Sequence, residues 1–176
     1  MEYRLTELIL AQRSNITNTL PKKKAEDFID GLYRLLFSLD TEPCQCSYEV
    51  EQRLKAKQLE FSEIIYDYFR DNQRAQQATT TFFSSIEEIY CRLLRDAQAI
   101  LDNDPAAQNL EEVYIAYPGF YTIVIHRFAH QLWLQDLKLL ARVWSEFAHS
   151  KTGIDIHPGA QIGDNFCIDH GTGIVI

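Results

Sequence analysis

Apolar residues in the first 150 positions recur three or four apart, the spacing that gathers them on one face of a helix. Phe28, Leu32, Leu35 and Leu36 form such a stripe within KAEDFIDGLYRLLF, after Pro21, a residue suited to a helix start. Leu54, Phe61, Ile64, Ile65 and Tyr68 form a second stripe between Val50 and Phe69. The run ATTTFFSS (78–85) reads as a polar break with no helix preference. Ser84 stands three before Glu87, a capping-box spacing, and behind it Ile86, Ile89, Tyr90, Leu93, Leu94, Ala97, Ile100 and Leu101 make the wide stripe of a bundle helix. Asp104-Pro105 predicts another helix N-cap with proline in the first turn, and Pro118-Gly119 another break. Phe120, Ile123, Val124, Phe128, Leu132 and Trp133 give a further stripe, and a last helix is expected from Asp136 to His149. All of these stripes read as packed core.

The pattern changes near residue 150. In TGIDIHPGAQIGDNFCIDHGTGIVI the residues Ile156, Ile162, Ile168 and Ile174 recur every six positions, with Gly, Pro, Asp and Asn between them. Neither a helix nor an alternating strand gives a period of six, whereas a β-helix of hexapeptide repeats does. Three hexads close one triangular coil, so residues 151–176 are expected to begin such a domain. One coil buries its apolar face only against another. The chain is therefore expected to be the N-terminal part of a longer protein, or to have its coil completed by other chains.

Charge and cysteine content narrow the function classes. The 17 Lys and Arg face 25 Asp and Glu, a net charge of −8, which argues against nucleic acid or an anionic membrane as the main partner. The longest apolar run without charge, Val113 to Ile125, is too short to span a bilayer and contains Pro118 and Gly119. The N-terminal MEYRLTELIL lacks a signal-peptide layout, so a cytoplasmic protein is expected. Cys44, Cys46, Cys91 and Cys167 make no disulfide framework, and Cys44-x-Cys46 lacks the second ligand pair of a zinc site. His126 and His130 are four apart on a helix without an evident third ligand, so packing or solvent exposure is expected of them and no metal is assigned.

The segment DIHPGAQIGDNFCIDHGTGIVI resembles the start of the hexapeptide domain of the serine O-acetyltransferase family, in which DIHP-x-A-x-IG is followed by DH-[AG]-TG-[IV]-V. Upstream, Asp104-Pro105-Ala106, Gly119-Phe120 and HRFAHQLW (126–133) also match that family, so the resemblance runs from about residue 95 to 176. It implies an α+β protein: a mostly helical oligomerisation domain over residues 1–150, then, from 151 to 176, the first coil of a left-handed parallel β-helix. It implies transfer of the acetyl group of acetyl-CoA to the hydroxyl of L-serine, with acetyl-CoA as co-substrate and no permanently bound cofactor.

By position in the motif, His170 is the expected general base and Asp155 its orienting partner, while Asp104 and Asp169 are expected to hold the substrate. A serine hydroxyl needs such a base at neutral pH, and histidine titrates in the right range. A carboxylate on the other ring nitrogen fixes the tautomer. The family's second site histidine, its carboxylate-binding arginine and its coenzyme-binding coils have no counterpart up to Ile176, so this chain alone is expected to be inactive. A trimer or dimer of trimers is expected, and a complex with O-acetylserine sulfhydrylase through a tail not present here. Two other readings stay open: an acyltransferase for a different hydroxyl, and a non-catalytic oligomerisation module.

Overall fold

The computed structural model describes residues 2–14, 16, 19–40 and 42–176. Eight helices are found among them: α1 (Glu2–Ser14), α2 (Lys22–Leu36), α3 (Ser47–Phe69), α4 (Asn72–Ser84), α5 (Ile86–Asn103), α6 (Leu110–Ala116), α7 (Pro118–Leu134) and α8 (Lys138–Thr152). Helices α2, α3, α4, α7 and α8 pack around an aromatic centre. Phe61 and Phe82 stack at 4.6 Å, Phe28 lies 5.8 Å from Trp144, and Phe82 lies 5.8 Å from Phe128. Burying each such side chain contributes about 1.5–3 kcal/mol. The indole N–H of Trp144 is satisfied by the Ala25 carbonyl at 2.9 Å. Helix α1 stands apart from this core, with Leu5, Leu8, Ile9 and Leu10 exposed.

Three expectations about helix ends are corrected. ATTTFFSS is not a break, because α4 runs through it to Ser84. Its Ala75, Ala78, Thr79 and Phe82 are buried at helical spacing, so packing overrides the weak propensity of its threonines. Ser84 caps nothing downstream: its hydroxyl donates to the Thr81 carbonyl at 2.8 Å, and Ser85 makes the junction to α5. Asp104 is the C-cap of α5 and not an N-cap; the next helix, α6, opens at Asn109, whose side chain accepts from Glu112 N–H at 2.9 Å.

The expected coil of a left-handed parallel β-helix is not seen, and the α+β assignment is corrected with it. No strand occurs among the described residues, and residues 153–176 carry one isolated parallel bridge, between Asp155 and Val175. Asp155 N–H donates to Ile174 O and Ile176 N–H to Asp155 O, both at 2.9 Å. A single pass of chain offers no neighbouring strand that could extend this bridge into a ladder. What holds the segment is packing: Ile154, Ile156 and Ile168 form a small buried cluster, with Ile162 and Phe166 also reaching the main core.

Candidate functional site

Asp104 ends α5 in an extended conformation, and its own side chain shapes the turn that follows. One carboxylate oxygen, Oδ1, accepts the N–H of Ala106 at 2.8 Å. The other, Oδ2, accepts the Tyr117 hydroxyl at 2.6 Å. Tyr117 precedes Pro118, which holds it extended (φ −88°, ψ 110°) at the start of α7. The next residue, Gly119, lets the C-terminal segment approach the helix: a Cβ there would lie 2.3 Å from the Ile168 carbonyl oxygen. Residues just past Ile168 thereby reach Asp104 and Tyr117.

The charges respond to this gathering. The Tyr117 hydrogen bond, the Ala106 N–H and the nearby His170 hold the Asp104 carboxyl below the usual carboxylate range. Asp104, by the same hydrogen bond, helped by some desolvation and by Glu112 and Asp169, pushes the Tyr117 phenol up to about 12. Burial, then Asp169 and Asp104, raise the Cys167 thiol. Asp104, Tyr117, Cys167, Asp169 and His170 thus share one patch. His170 is almost fully solvated, its Nε2 3.8 Å from Asp169 Oδ1.

Three of the four residues expected from sequence, Asp104, Asp169 and His170, are therefore brought together. The fourth, Asp155, lies where the backbone pairs with residues 174–176, and among the described residues no hydrogen bond or ion pair joins it to His170. Sequence reasoning missed Tyr117, which nothing in the chain marks except its place before Pro-Gly.

It also missed the clamp that seats the segment. Arg127 of α7 donates to both oxygens of Asp96 on α5, at 2.6 and 2.8 Å, with the two side chains 4% and 0% exposed. Its guanidinium also donates to the Gly163 carbonyl at 2.8 Å, and Asp96 accepts the Phe166 N–H at 2.9 Å. Arg92 and Arg95 pair with Asp164 from outside. Further along α7, His130 Nδ1 donates to the Pro158 carbonyl at 2.8 Å, and Trp133 meets the His157 ring edge-on at 4.9 Å. His126 is buried, its Nδ1 without a hydrogen-bond partner among the described residues, and burial with the adjacent His130 and Arg127 lowers it to about 3. A cleft of about 540 Å³ opens beside Arg92, His126, Arg127 and His130, but none of the four expected site residues lines it.

No family model matches the chain. The relatives found in sequence and in structure are acetyltransferases, and the particular name they share is serine acetyltransferase. A plasmid-borne serine acetyltransferase of Synechococcus elongatus is 50% identical over 105 residues, 60% of this chain and 33% of the relative. A crystal structure of Entamoeba histolytica serine acetyltransferase isoform 3, in complex with cysteine, superposes with a TM-score of 0.74 at 32% identity, over 86% of this chain and 54% of that one. A serine acetyltransferase in complex with CoA superposes with a TM-score of 0.52 at 25% identity, over 86% of this chain and 66% of that one. The chain is thus a homologue of serine acetyltransferases and spans about a third of the length of the curated relatives it matches.

Proposed function

We propose that the protein to which this chain belongs transfers the acetyl group of acetyl-CoA to the hydroxyl of L-serine. The observation that carries this reading is the meeting of Asp104, from the helical part, with Asp169 and His170 from the C-terminal segment. Two carboxylates beside an imidazole suit an amino-acid substrate: the carboxylates attract the ammonium group, and the imidazole takes the hydroxyl proton. His170 would remove that proton while the serine Oγ attacks the thioester carbonyl carbon. The carbon–sulfur bond then breaks, and the imidazolium returns the proton to the departing CoA thiolate. Asp155 is assigned as the carboxylate that orients His170 during that proton transfer.

Acetyl-CoA enters as co-substrate, and no resident cofactor is invoked. The exposed apolar side chains of α1 support self-association, as a trimer or dimer of trimers; a complex with O-acetylserine sulfhydrylase and a cytoplasmic location complete the reading. The test is CoA-thiol release from acetyl-CoA with L-serine, using the full natural chain and its His170→Asn variant. A fall of about 10²–10⁴ in kcat is expected for loss of a general base. Unchanged turnover in the variant would refute His170 as the base, no thiol release by the wild-type chain would leave the oligomerisation reading, and turnover with other hydroxyl compounds but not with serine would point to a different acyltransferase.

A further inference from the structure

We propose that Tyr117 is a positioning residue of this site: its hydroxyl fixes the Asp104 carboxylate so that the outward lone pairs of that carboxylate take the ammonium group of an α-amino acid. The inference rests on the function proposed above and names the feature that would select an amino acid over a simple hydroxy acid.

An ionised carboxylate has about four lone-pair sites. At Asp104 two are taken, one on each oxygen: Oδ1 by the Ala106 N–H at 2.8 Å and Oδ2 by the Tyr117 hydroxyl at 2.6 Å. Each oxygen keeps one site, and together they match two N–H donors of one ammonium group. The two fixed donors come from different elements, a turn after α5 and the first residue before α7. They therefore fix the plane of the carboxylate, which a single contact would leave free to rotate. Pro118 holds Tyr117 extended, and Gly119 lets the chain bearing Asp169 and His170 come close to it.

The electrostatics agree with the geometry. The phenol, raised to about 12, stays protonated and keeps donating at neutral pH, while the carboxyl stays ionised. The charged groups acting on this pair are Glu112, Asp169 and His170, so an incoming cation meets Asp104 and Asp169 together.

The experiment uses the full natural chain and its Tyr117→Phe variant, with binding read by NMR titration. L-serine is expected to bind the variant about tenfold more weakly, equivalent to about 1.4 kcal/mol. The probe 3-hydroxypropionate has the hydroxyl and carboxylate of serine without the ammonium group, and its affinity is expected to stay the same. In steady state the KM for serine is expected to rise while that for acetyl-CoA holds. The Tyr117 phenol, read as the ultraviolet difference between each protein and the same protein carrying Tyr117→Phe, is expected to ionise at lower pH in Asp104→Asn than in wild type. Unchanged serine affinity, or equal weakening of both probes, would overturn the proposal. Wild-type protein that binds serine without transferring acetyl would sink the assigned reaction, and the two binding curves would still decide the role of Tyr117.

Discussion

Replacing Arg127 by methionine asks how firmly the C-terminal segment is tied to the helices. Methionine keeps much of the aliphatic volume but deletes the two contacts to Asp96, at 2.6 and 2.8 Å, and the contact to the Gly163 carbonyl at 2.8 Å. The Asp96 side chain is 0% exposed, so water cannot reach the charge left behind. Removing one partner of a buried ion pair costs about 3–5 kcal/mol, against at most about 1 kcal/mol for a surface pair. The Phe166 N–H still donates to Asp96, which offsets part of the loss and places the expected cost near the lower end, about 3 kcal/mol. With a urea dependence of about 2 kcal/mol per M, the unfolding midpoint should fall by about 1.5 M. The assay is equilibrium urea unfolding followed by helical circular dichroism. A double variant, Asp96→Leu with Arg127→Met, removes both charges and is expected to recover about 1–2 kcal/mol over Arg127→Met, since no charge is left buried alone. A midpoint shift under about 0.3 M, or a double variant weaker than the single, would refute the reasoning that desolvated charge governs this site.

Two further outcomes follow from the same packing. Gly119→Ala places a Cβ 2.3 Å from the Ile168 carbonyl, a backbone atom that cannot swing aside. Thermal melting is expected about 5 °C lower, although alanine is the better helix former, and an unchanged or higher Tm would mean the approach is looser than described. His126, ordinarily near 6.5, is held to about 3 in the folded chain, so the unfolded chain binds the proton first. Stability is then present above 6.5 and falls as pH drops toward 3, at up to about 1.4 kcal/mol per pH unit. Between pH 6.5 and 5, His126→Gln should flatten the slope of unfolding free energy against pH; an identical slope would refute a neutral buried ring.

Much of the helical part was legible because burial and spacing coincide there. Phe28 and Leu32 in α2, Leu93 and Ile100 in α5, and Phe120, Ile123, Val124, Phe128 and Leu132 in α7 are all buried where the stripes put them. Helix α4 was hidden because, apart from Phe82, its buried face is Ala75, Ala78 and Thr79, residues too small or too polar to register as a stripe. The six-residue recurrence correctly picked apolar side chains, since Ile156 and Ile168 are buried, but spacing alone says nothing of hydrogen-bond partners, and it over-predicted β structure. Asp104, Asp169 and His170, singled out from two separate motifs, lie in one patch, and their roles stand as proposed above. Tyr117 was not legible, because its role depends on a partner thirteen residues back across a turn and a short helix. The Asp96–Arg127 pair was invisible for another reason: two charged residues on helices read as solvent-facing, and only tertiary structure reveals that both are enclosed.

The clamp at residues 162–166 has a consequence for how this segment can diverge. Arg127 grips the carbonyl of Gly163, Arg92 that of Ile162, and Asp96 the N–H of Phe166, main-chain groups that do not depend on the side chain carried, proline at 166 excepted. Asp164 is held through its own side-chain ion pairs, Ile162 and Phe166 through packing on the core, and Asn165 stands at a positive φ that restricts what can replace it. A main-chain grip is indifferent to which side chain the gripped residue carries, whereas a change at residue 96 or 127 breaks the buried ion pair whatever the loop contains. Much of the loop's hold thus lies in residues outside it, so among descendants of this sequence Asp96 and Arg127 should be kept or lost together.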